Sequence, residues 1–60
     1  MRWNELRKII EKHGWYLWRE GTNHDIYRHP QRKEPLLIER HQSQEVRKGL
    51  LNKIKKQVGF

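Results

Sequence analysis

Apolar residues recur at helical spacing near the start of the chain, where Leu6, Ile9 and Ile10 line one side of residues 4–14, with Trp3 and His13 at its edges. Asn4 is a good N-cap and Glu5 suits the positive end of a helix. Lys12 and His13 suit the negative end, and Gly14 is placed for a left-handed residue just past it. The spacing predicts one short amphipathic helix, with His13 serving its end. From 15 to 20 the chain turns aromatic and extended, Gly21-Thr22-Asn23 forms a turn, and a second extended run over 24–29 stops at Pro30. Polar residues 31–34 make a second loop, and a third strand over 36–40 begins just after Pro35, where a proline does little harm. Helical spacing returns with Val46, Leu50, Leu51, Ile54 and Val58. Gly49 disfavours a helix interior by about 1 kcal/mol relative to alanine. A turn or loose lead-in is therefore expected over 43–48 and a formed helix over about 49–57, closed by Gly59 and an apolar contact from Phe60.

The predicted order is helix, strand, strand, strand, helix. Two amphipathic helices and one antiparallel meander bury their apolar sides economically only when both helices lie on one face of the sheet. The expectation is a single α+β domain spanning 1–60, with the other sheet face open. A chain this short buries only roughly 60% of its unfolded surface, so the core is small.

Alternation along the second strand divides its side chains between the faces. His24, Ile26 and Arg28 lie on one side, Asp25, Tyr27 and His29 on the other. Tyr27 is the larger apolar body and Arg28 is hard to bury. Tyr27 is therefore placed inward, and His24 and Arg28 side by side on the open face. Trp15, directly after the helix stop, and Trp3 are expected to pack inside; Trp18 shares a side with Tyr16, and since one strand cannot bury both faces under the same helices, one of its two side-chain sets is at least partly exposed.

Fourteen Lys and Arg against seven Asp and Glu give a net charge of +7, which points to polyanionic partners. There are no cysteines, which removes disulfides, thiol catalysis and cysteine metal sites. No apolar stretch approaches the roughly 20 residues needed to span a membrane, and no signal-peptide core follows Met1. A cytoplasmic location is expected, without membrane association. The four histidines lack helical i, i+4 partners or cysteine companions, so neither a metal nor a small-molecule cofactor is expected.

Several runs together carry a resemblance. They are Gly14-Trp15, Arg19, Gly21-Thr-Asn-His24-Asp-Ile-Tyr-Arg-His-Pro30, Ile38-Glu-Arg-His41, Lys48-Gly49-Leu50 and Ile54-Lys-Lys-Gln-Val-Gly-Phe60. Across essentially its whole length the chain resembles the HicA family of mRNA interferase toxins. The resemblance implies a fold like the double-stranded-RNA-binding domain, ribosome-independent RNA cleavage, and neutralisation by a HicB antitoxin. The usual family motif is Gly-Ser-His followed by a short strand ending in His-Pro, with the first histidine catalytic. This chain has Gly-Thr-Asn-His. Counting back from Tyr27, His29 and Pro30 aligns His24 with the catalytic histidine and leaves the extra residue in the turn, where insertions are tolerated best. Glu39 stands where many relatives carry proline, a difference expected to affect strand geometry rather than chemistry.

The chemistry agrees with that role. Metal-free RNA cleavage must deprotonate a ribose 2′-hydroxyl, protonate the departing 5′-oxygen and stabilise a charged phosphorane. Histidine titrates near neutrality and performs either transfer, and an arginine neutralises phosphate. Arg28 is the expected cation. Trp18 is the candidate for stacking on a base or contacting the antitoxin. Lys53 and Lys56, three apart on the second helix, are candidates for gripping phosphates. His29 is expected to be structural, and His41 is a lesser candidate for reaching RNA or the antitoxin. Two other classes fit the same residues: a non-catalytic RNA-binding module, and a domain whose basic surface docks an acidic protein.

Overall fold

A computed structural model describes residues 1–40 and 43–60. The elements run α1 (Trp3–Lys12), β1 (Tyr16–Glu20), β2 (His24–Arg28), β3 (Leu36–Glu39) and α2 (Lys48–Val58). The strands form one antiparallel sheet in the order β1-β2-β3. This is the expected α-β-β-β-α architecture.

Both helices pack on one sheet face. Trp3, Leu6 and Ile10 of α1 and Ile54 and Val58 of α2 share a single core with Trp15, Tyr27, Leu36, Ile38 and Val46. Leu6, Ile10, Leu36 and Ile38 are fully buried. Burying such a side chain is worth about 1.5–3 kcal/mol over leaving it in water, which is how so small a core holds the sheet and helices together. Strand alternation follows: β2 is buried at Asp25 and Tyr27 and half-buried at His24, Ile26 and Arg28.

Two expectations are corrected. Asn4 is not the helix cap; α1 starts two residues earlier, with Arg2 as N-cap. The Glu5 carboxylate accepts the Arg2 amide at 3.1 Å, and the Trp3 amide donates to the Gln44 carbonyl at 3.1 Å, so one local contact and one remote in sequence fix the helix start. The segment before α2 is not a loose lead-in. Arg2 bridges Glu45, the Val46 amide donates to the Met1 carbonyl at 2.9 Å, and the N-terminal ammonium pairs with Glu45 at 2.9 Å. That tether lets α2 begin at Lys48 and leaves Gly49 in its first turn, where no full ladder of helical hydrogen bonds is at stake. Every residue of β1 is exposed, Leu17 included, with Tyr16 opposite Arg28 and Arg19 opposite Ile26 on the face away from the helices.

Gly14 follows α1 with φ +92°, the left-handed residue its position suggests. A Cβ there would also lie 2.9 Å from His29 Nε2.

Candidate nucleic-acid interface

His24 is the first residue of β2, directly after the turn, and stands opposite Glu39 of β3. Its side lies away from the helices, together with Ile26, Arg28, and the partners Leu37 and Glu39. Arg28 is on that same face but not beside the imidazole. It is four residues along, about 13 Å at the rise of a strand, with Ile26 between.

Instead, the Arg28 guanidinium sits 5.1 Å from the Trp18 ring, and Arg19 covers the same ring at 5.3 Å. A bulge produces this arrangement. Leu17 pairs with Tyr27 and Arg19 with Ile26, so Trp18 is the extra residue of β1. A bulge turns two successive side chains toward one side, which brings Trp18 and Arg19 together over the open face. Tyr16, opposite Arg28, extends the surface, and Tyr16 and Trp18 are each about half exposed. The result is a solvent-facing platform of two aromatic rings and two guanidiniums, with His24 at its far end.

The turn that presents His24 is strongly tied down. The Gly21 amide donates to the His24 carbonyl at 2.7 Å. Arg40, just after β3, donates to Asp25 Oδ1 through Nε at 2.9 Å, to the Thr22 carbonyl through Nη1 at 3.3 Å, and to the Gly21 and His24 carbonyls through Nη2. Asp25 faces inward, 8% exposed, and its second oxygen accepts Arg7 Nη1 from α1 at 2.9 Å. Arg7 also donates to the Tyr27 hydroxyl at 2.9 Å and the Glu39 carbonyl at 3.3 Å. Burial alone pushes the Asp25 carboxyl up, but hydrogen bonds from Arg40 and Arg7 outweigh it and hold the group below the usual carboxylate range. Burial likewise raises the Tyr27 phenol, so it stays protonated as it bonds Arg7 and Glu11.

His24, Trp18 and Arg28 therefore share one face, while the lysines do not join them. Lys53 and Lys56 are exposed on α2, on the helix side of the sheet, with Lys53 lining a shallow groove against β3. His29 is structural in its contacts. Its Nδ1 accepts the Gln31 amide at 3.0 Å, so Nε2 carries the proton and donates to the His13 carbonyl at 2.9 Å. Its ring also packs 5.3 Å from that of Trp15. His41 lies outside the described residues. Sequence reasoning missed Arg7, Asp25, Arg19 and Arg40. An acid on the inward side of β2 was the available signal, since a buried carboxylate requires cations nearby.

Among the described residues no helix is long and apolar enough to cross a membrane. A search of curated proteins found no match. A family model, described as the HicA toxin of bacterial toxin-antitoxin systems, matches residues 3–60.

Proposed function

The chain belongs to the HicA toxin family of bacterial toxin-antitoxin systems, and from that premise we propose that it is a ribosome-independent endoribonuclease that cuts mRNA in the cytoplasm and is neutralised by a HicB antitoxin. The observation that carries this reading is His24, displayed on the open sheet face beyond a platform of aromatic and guanidinium groups.

Cleavage proceeds by transesterification. The ribose 2′-oxygen loses its proton and attacks phosphorus, the bond from phosphorus to the 5′-oxygen breaks, and that oxygen takes up a proton. His24 performs one of the two transfers as a general acid or base. Arg28 lies too far along β2 for the same phosphate and instead neutralises a flanking one, while Trp18 stacks on a flanking base. Lys53 and Lys56 add salt-sensitive attraction on the helix side.

The test is incubation of the purified chain with a single-stranded RNA in EDTA, without ribosomes. Fragments ending in a 2′,3′-cyclic phosphate and a 5′-hydroxyl are the expected result. Intact RNA bound in a salt-dependent way makes the chain a non-catalytic RNA-binding module. Failure to bind RNA at all leaves protein docking as the use of the basic surface. The stacking role gives a separate expectation: Trp18→Ala weakens RNA binding by about 1–3 kcal/mol, measured by fluorescence anisotropy. Binding within twofold of the parent removes Trp18 from the interface.

A further inference from the structure

We propose that Arg40 is a positioning residue for His24, locking the turn that presents the imidazole; this rests on the catalytic reading of His24. One guanidinium gathers the carbonyls of Gly21 and Thr22 in the turn and of His24 just after it, while its Nε binds Asp25. Those four bonds occupy four of the five N–H donors that a guanidinium possesses.

Two further observations make this a lock rather than a spare surface charge. First, the carboxylate that orients Arg40 is itself fixed from α1 by Arg7, so the turn is braced against the helix layer through Arg7, Asp25 and Arg40 in series. Second, Arg40 shares the Asp25 carboxylate at 2.9 Å, and four of its five N–H donors point at the protein. Although its side chain is 42% exposed, it is poorly disposed to grip a phosphate. The turn between β1 and β2 is longer by one residue than the Gly-Ser-His motif of the family, and a longer turn has more freedom to lose. Arg40 removes that freedom by holding the Gly21 and Thr22 carbonyls of the turn together with the His24 carbonyl, which also accepts the Gly21 amide. Lysine cannot substitute, because a single ammonium cannot span three carbonyls and a carboxylate in one plane.

The experiment compares Arg40→Gln and Arg40→Lys with the parent, reading kcat, KM and the backbone amide resonances of residues 21–25 in RNA-free protein. Both variants are expected to lose about 100-fold in kcat, the scale of a misplacement near 1 Å, with KM within about twofold. Both should also shift the turn amides. If Arg40→Gln fails to fold, Arg40→Lys, which keeps a positive charge beside Asp25, carries the test. Recovery of kcat in Arg40→Lys, a rise in KM in Arg40→Gln, or unshifted turn amides overturns the proposal. Should the parent leave RNA intact, it is the catalytic reading that falls, and the amide shifts still decide whether Arg40 sets the turn.

Discussion

His24→Ala is expected to bind RNA as the parent does and to cut it about 10²- to 10⁴-fold more slowly, the usual worth of a positioned acid or base. The structure favours a clean experiment. Among the described residues the imidazole has no hydrogen-bond partner, and the side chain is only half-buried on the face away from the core. The turn is held through main-chain carbonyls, including that of His24 itself, and these survive the substitution. Stability should therefore change little, and initial rates of RNA cleavage can be compared between folded proteins with matched binding. A folded His24→Ala that cuts at the parental rate ends the assignment.

Asp25→Ala carries the largest expected loss of stability. Truncating the carboxylate takes the anionic partner from two guanidiniums, one of them on Arg7, whose side chain is 17% exposed. Arg7 already has a buried Nε without a partner among the described residues. Breaking a buried ion pair in this one-sided way costs about 3–5 kcal/mol. The chain has 60 residues, and the usual stability per residue gives it roughly 3–9 kcal/mol in total. A melt followed by circular dichroism should show Tm lowered by at least about 12 °C, or no cooperative transition at all. A Tm within 3 °C of the parent's, roughly the shift from under 1 kcal/mol, would falsify the assignment of Asp25 as the keystone of the cluster.

The same carboxylate sets an acid sensitivity. Its folded-state pKa lies below the ordinary value. Its contribution is thus complete above about pH 4, the unfolded range for aspartate, and is lost as pH falls from there through the folded value. Urea unfolding of the parent should show a smaller unfolding free energy at pH 3 than at pH 6.

The second strand shows what alternation can decide. Tyr27 and Arg28 are adjacent and differ sharply in the cost of burial, so one comparison sets the direction of every side chain on β2, His24 among them. The first strand offers no such contrast. Tyr16, Leu17 and Trp18 are all apolar enough for a core, yet all are exposed: Tyr16 and Trp18 lie on the open face of an edge strand, and a bulge breaks the alternation at Trp18. A bulge is one inserted residue in a pairing register, and register is a property of two strands that neither one displays alone. Distance along the chain hid the rest. Arg7 reaches Asp25 across 18 positions and Arg40 reaches it across 15, and the basic residues of this chain are too numerous for composition to single out those two. The start of α1 escaped partly for the same reason, since the Trp3 amide is satisfied by the Gln44 carbonyl, far along the chain.

The bulge in β1 has a consequence for how copies of this protein behave toward one another. Strand β1 lies at the rim of the sheet and shows Tyr16, Leu17 and Trp18 to water, the sort of edge that invites a strand from another molecule to add itself and propagate. An inserted residue spoils the even spacing of amides and carbonyls that an incoming strand must match, and the arginines flanking Trp18 repel a like-charged copy at the same place. The irregularity that assembles an aromatic surface for a polyanion also keeps that surface from becoming a seed for aggregation.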